Sequence, residues 1–315
     1  MADRRPLPLT VLAAAIAGLA ALVLLAGCGE EPGGNSDGGK LNVVATTTIV
    51  ADLVREVGGE AVEVDQILQP NTDPHEYEPR PSDVEAVADA NLVFASGLGL
   101  DEWVEELVAD SGSDAEVVDL GARGPVRLPG DPHWWHNPLN VIAAVAAIEA
   151  ELDVADRPHR AAYARNARAY LDELQALDLG IAECIESLPP AARKLVTDHD
   201  AFGYFAEHYG LEIVGTAIPS QTTQAQASAK DLSELAKTIE AEGVRAIFPE
   251  SSLSADAVEA VARQTGVSAE HTLYGDTLGP EGSSGETYLG MEEANADAIV
   301  RGLTGGRRGC EVTAG

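Results

Sequence analysis

The apolar positions of this chain change their period along its length, and each change marks an element. Residues 41–47, Leu-Asn-Val-Val-Ala-Thr-Thr, form a short β-rich run, and apolar side chains recur at helical spacing over 49–57, so a strand leads into a helix. The alternation continues with predicted strands at 62–68, 92–95 and 116–118 and helices at 82–90 and 101–110. Helices interleaved with short buried strands predict a parallel sheet. From Pro138 the pattern becomes alanine-rich and apolar over 141–152. Asp156-Arg157-Pro158 then signals a helix start, Asp156 as cap and Pro158 in an early turn. One helix over 157–187, stopped before Pro189-Pro190, would span more than about 40 Å and could bridge two lobes. Strands resume at 194–197, 212–217, 246–248 and near His271, with helices near 201–209, 231–242, 255–265 and 287–303. The predicted fold is α/β, two parallel-sheet lobes joined by one long rigid helix.

The ends are of a different character. Arg4 and Arg5 precede an apolar run over 9–25 that closes in Leu25-Ala26-Gly27-Cys28, a processing signal rather than a comfortable membrane span. That ending resembles the lipobox of bacterial lipoproteins, which implies acylation of Cys28 as the first mature residue. Glycine, acidic and polar residues dominate after Cys28 and cannot bury enough apolar surface to fold. The expected organisation is signal peptide 1–27, flexible tether 28–39, first α/β lobe 40–152, linking helix 153–189, second α/β lobe 190–306 and tail 307–315.

Composition narrows the partners. The net charge is −32, and removing residues 1–27 with Arg4, Arg5 and Asp3 makes it one unit more negative. Nucleic acid and anionic membrane are poor partners for such a surface. The bulk charge says nothing specific about a metal, since an acidic surface chiefly keeps a protein soluble. With Cys28 taken for acylation, Cys184 and Cys310 remain, an even pair in an oxidising compartment. One disulfide is expected, with two free thiols as the alternative, because sequence cannot set their separation.

Four of the seven histidines fall in three short segments: Asp73-Pro74-His75-Glu76-Tyr77-Glu78-Pro79, Asp131-Pro132-His133-Trp134-Trp135-His136-Asn137-Pro138, and Thr197-Asp198-His199-Asp200-Ala201-Phe202-Gly203-Tyr204-Phe205. Imidazole is a ligand for zinc, copper, iron and nickel, and distant segments must converge to fix a coordination geometry. His75 and His133 each follow Asp-Pro in a loop, and His199 follows the predicted strand at 194–197, with Asp200 placed to cap the next helix. Loops at the carboxyl ends of parallel strands are where α/β sheets bind ligands. Asp276, in Tyr274-Gly275-Asp276-Thr277, is the fourth candidate, and Trp134 and Trp135 are placed to shield His133 from water. His136 competes with His133, whereas His159 and His208 on helices and His271 in a strand are read as non-ligands. Three nitrogens and one carboxylate suit zinc. Because such a site needs neutral imidazoles, affinity is expected to fall as pH drops through about 6.5 to 5.

Taken together and in this order, the motifs resemble the metal-binding solute-binding proteins of ABC transporters, the A-I cluster that serves zinc or manganese permeases, from about Leu41 to Leu303. The resemblance implies two four-stranded α/β lobes joined by a rigid helix, with metal in the cleft between them. It implies His75, His133, His199 and Asp276 as ligands. The manganese branch typically has glutamate at the third position, so His199 resembles the zinc branch. Asn137 stands where the family usually has aspartate, and no histidine-rich loop lies between Glu76 and His133. Glu250, in Phe248-Pro249-Glu250-Ser251, matches a family segment near the cleft and is read as a supporting residue. The implied protein is a monomeric, lipid-anchored receptor at the extracytoplasmic face of the cell membrane that delivers Zn²⁺ to an ABC permease and catalyses nothing. The alternatives are a receptor for manganese or another divalent metal, a zinc-dependent hydrolase and a surface adhesin. A hydrolase needs an open position for water, which four protein ligands would close, and the chain has no His-Glu-x-x-His segment.

Overall fold

The computed structural model describes residues 39–312, so Cys28, the signal segment and nearly all of the tether lie outside the described residues. The first half is built on four parallel strands in the order β2-β1-β3-β4: β1 (Leu41–Ala45), β2 (Val62–Gln66), β3 (Leu92–Ala95) and β4 (Glu116–Asp119). β1 is central, with Val43 opposite Val64 on one side and Leu92 on the other. Val43, Val44 and Ala45 are fully buried, which is why this strand reads as a continuous apolar run. Helices α1 (Thr48–Gly58), α2 (Pro81–Ala88) and α3 (Trp103–Ser111) connect the strands. The Thr47 hydroxyl accepts from the Val50 amide and starts α1 one residue after the turn out of β1.

Two helices carry the chain to the second half, α4 (Pro138–Ala155) and α5 (Arg160–Glu186). The 27 residues of α5 span about 40 Å and bury a stripe of Tyr163, Ala167, Tyr170, Leu174, Leu177, Ile181 and Ile185. This stripe belongs to one apolar core that contains residues of both halves, from Val43 to Leu303. α5 starts at Arg160 rather than 157 because Arg157–His159 form a 3₁₀ turn. Asp156 does not cap it; its carboxylate takes the Tyr163 hydroxyl and the His159 ring instead.

The second half is less regular. β5 (Lys194–Thr197) and β6 (Glu212–Thr216) pair in parallel, with α6 (Gly203–Tyr209) between them. The strands expected at 246–248 and near His271 are only isolated parallel bridges: Thr197 with Phe248, Ala246 with Ser268 and Glu250 with Leu273. These segments still extend the sheet to four chain segments, but Pro249 has no amide proton to continue a ladder. Helices α7 (Ala229–Glu242), α8 (Asp256–Thr265) and α9 (Tyr288–Thr304) complete this half. Cys184 on α5 is disulfide-bonded to Cys310, with Cα atoms 5.5 Å apart, which ties the chain beyond α9 to the linking helix.

Candidate metal centre

Each candidate side chain sits just beyond a strand or in a short turn that its own sequence fixes. In the two Asp-Pro-His segments the aspartate accepts the histidine amide at 2.9 Å, Asp73 from His75 and Asp131 from His133. A short polar side chain bonding its own backbone two residues on is the usual means of holding such a turn. Asp131 does more, because its Oδ1 also lies 2.7 Å from His133 Nδ1. His199 follows β5, and Glu250 Oε1 takes both its amide at 2.9 Å and its Nδ1 at 2.8 Å. Asp200 does not cap α6: the cap position is Phe202, without a side-chain bond, and the Ala201 amide turns back to His199 O. Asn137 caps α4 by accepting the Leu139 amide.

The structure brings His75, His133, His199 and Asp276 together, with one potential ligand atom from each within 4.8 Å of all the others. His133 Nε2 is 3.2 Å from Asp276 Oδ1 and 3.3 Å from His199 Nε2. Asp276 Oδ2 is 3.4 Å from His199 Nε2 and 3.6 Å from His75 Nε2. Four donors about 2.0–2.1 Å from a tetrahedral metal stand about 3.3–3.4 Å apart, so these separations fit one small ion. His75 Nε2 and both Asp276 carboxylate oxygens are buried without a hydrogen-bond partner. Buried polar atoms are rarely left in that condition, and three of them facing one point match the needs of a cation.

Charge reinforces the arrangement. Burial works against protonation of His133, but the hydrogen bond to Asp131 and the negative charge of the facing Asp276 outweigh it and raise its pKa to about 9. For His199 burial is likewise overcome, here by the charges of Glu250 and Asp276, which push it up to about 10. His75 goes the other way, lowered mainly by burial, with Asp276 only partly compensating. Asp276 is held well below the usual carboxylate range: burial raises it, but the three facing imidazoles prevail, His199 foremost.

The remaining histidines are engaged elsewhere. His136 is buried and bonds Glu292 at 2.7 Å, outside the cluster. His159 bonds Asp156, and His208 on α6 bonds Asp178. His271 is not in a regular strand, since its segment contributes only the isolated bridges at Ser268 and Leu273. Of the two tryptophans, Trp135 packs edge-on to His133 with ring centres 5.4 Å apart, while Trp134 turns into the first half and donates to Ser96 O. Two supporting contacts escape the sequence reading. Asp131 on the His133 ring could have been found from the paired Asp-Pro-His spelling, but Glu292 on His136 lies 156 residues away with no local signal.

The family described as zinc-uptake complex component A, periplasmic (ZnuA), matches residues 43–302. The chain belongs to this family. Its members are metal-binding solute receptors of ABC transporters, not enzymes. The manganese-binding lipoprotein MntA of Halalkalibacterium halodurans is 34% identical over 288 residues, covering 90% of this chain and 95% of that protein. MntA of Bacillus subtilis is 33% identical, covering 91% and 99%. The periplasmic zinc-binding protein TroA of Treponema pallidum superposes with a TM-score of 0.79 at 32% identity, covering 84% of this chain and 99% of its own. The two-lobe architecture joined by a long helix is thus that of the ZnuA family. No helix among the described residues is long and apolar enough to cross a membrane.

Proposed function

We propose that this ZnuA-family protein is the zinc receptor of an ABC importer: a monomer anchored through Cys28 at the extracytoplasmic membrane face, which holds Zn²⁺ as cargo and passes it to the permease. The convergence of three histidine Nε2 atoms on the unpartnered Asp276 carboxylate carries this reading. His75, His133, His199 and Asp276 would hold the ion. A nitrogen-rich set of three imidazoles and one carboxylate favours zinc over manganese, which prefers oxygen donors and more of them. Asp131 and Glu250, behind the His133 and His199 rings, would fix each ring so that Nε2 is the coordinating atom. Binding would expel the protons these rings carry.

Manganese is the second reading, favoured by the MntA relatives named for it and by an Asp276 with both oxygens free to coordinate. Side-by-side dissociation constants for Zn²⁺ and Mn²⁺, on protein stripped of metal and at one pH, separate the two. His199→Glu should shift the ratio toward manganese, although the general affinity order can leave zinc the tighter ion. An unchanged ratio in a folded variant removes His199 from the ligand set.

A further inference from the structure

We propose that the buried His136–Glu292 pair is a clasp between the two halves that positions His133 and so sets the metal affinity of the site. The inference rests on the ligand set proposed above and adds two positioning residues to it. It comes from the way the residues after His133 are distributed. Trp134 Nε1 donates to Ser96 O at the end of β3, 2.9 Å away. Trp135 Nε1 donates to Gly275 O at 3.0 Å, one residue before Asp276, and Trp135 O accepts the Tyr288 hydroxyl at 2.8 Å. His136 Nδ1 then donates to Glu292 Oε1 at 2.7 Å, and Tyr288 and Glu292 both lie on α9. Of the three consecutive residues beside one ligand, Trp134 is therefore fastened to the first half and Trp135 and His136 to the second.

His136 is fully buried, Glu292 is 1% exposed, and the imidazole stacks on Phe202 at 4.5 Å. A buried polar pair of this kind is often no more stabilising than well-packed apolar residues in its place. What it supplies is a direction, because the bond is satisfied at one ring orientation and one placement of the turn. His136 Nε2 has no partner, so Nδ1 is the ring's single polar anchor. The turn passes that constraint on: the His136 amide bonds back to His133 O at 3.3 Å within the 3₁₀ segment Trp134–His136. Losing the clasp would let His133 drift relative to Asp276 while leaving every proposed ligand in the chain.

The test uses the full mature chain, stripped of metal, with Zn²⁺ affinity measured by chelator competition and Co²⁺ absorption as a reporter of ligand geometry. His136→Leu/Glu292→Leu replaces the pair by apolar side chains. It should keep the metal-free melting temperature near that of the wild type, weaken Zn²⁺ binding by roughly tenfold or more and alter the Co²⁺ spectrum. His136→Asn, whose amide nitrogen can stand where Nδ1 stood, should stay within about threefold of the wild type. If the double variant does not fold, His136→Phe, which keeps the stacking on Phe202 but has no donor, should show the same loss. A double variant that binds Zn²⁺ like the wild type, or a His136→Asn that loses as much as His136→Phe, overturns the clasp. Those results leave the receptor reading intact if His133→Ala still abolishes binding. A wild type that binds no metal overturns both.

Discussion

His133 and His199 are held from behind, and His75 is not. The two buried rings each rest a second nitrogen on a carboxylate, Asp131 or Glu250, and the same carboxylates take their backbone amides. His75 is fixed through its backbone alone, by Asp73 at its amide and Gln224 at its carbonyl, and its side chain keeps 6% exposure. The protonation behaviour diverges accordingly, with His133 and His199 raised to about 9 and 10 and His75 lowered. One residue type facing one carboxylate thus takes two roles: a rigid, charge-backed wall and a more lightly held corner next to solvent.

The sharpest way to break this comparison is to remove the rings. His133→Ala and His199→Ala should each weaken metal binding by more than about 100-fold, beyond the 10–100-fold typical of losing an outer partner. His75→Ala should cost less, because water can reach the vacated position at the half-buried corner. Calorimetry under chelator competition gives the order, and equal losses at all three positions would erase the distinction. The next effect is in pH. With their pKa values raised by the carboxylates around them, the two wall histidines are expected to hold protons in the metal-free protein that the ion must expel. Apparent affinity should therefore fall as pH falls, about tenfold per unit for each proton expelled, and keep rising with pH above 7 until about 9 to 10. His75, lowered, adds nothing to that upper range. A profile already flat above pH 7 would show that the carboxylates behind the wall do not hold protons on it. Smaller again are changes in those carboxylates: Asp131→Asn and Glu250→Gln should weaken binding by about 10–100-fold and narrow the upper pH range.

Why this cluster of candidates was readable before the fold lies in where its residues fall. His199 follows an apolar strand and His75 and His133 follow Asp-Pro turns, and a parallel sheet delivers strand ends to one edge. The long helix α5 was readable from its ends, Pro158 near its start and Pro189-Pro190 past its stop, which are local signals. The strands near 246–248 and 271 were overdrawn because apolar character reports burial, as at Ile247 and Phe248, not a continuous ladder. The pH window of 6.5 to 5 rests on the unperturbed imidazole value, which takes no account of Asp131, Glu250 and Asp276 beside the rings. Glu292 beneath His136 could not be read at all, since the two meet only through the packing of α9 against the first half.

The smallest predicted effect probes the lightly held corner. Thr223 Oγ1 donates to Asp73 Oδ2 at 2.6 Å, and Asp73 Oδ1 in turn takes the His75 amide, so a residue of the second half steadies the turn that carries His75. Both Thr223 and Asp73 are only half-buried, so water can take the place of a lost hydroxyl. Thr223→Val should then cost about 0.5–1.5 kcal/mol at most, the net worth of one such bond, and change the metal Kd by no more than about tenfold. Its clearer mark should be kinetic, a faster metal release on mixing with excess chelator, because the corner loosens while the wall stays fixed. A larger equilibrium loss, matching Asp131→Asn or Glu250→Gln, would mean that His75 is gripped as firmly as the buried pair and that the division into wall and corner is wrong.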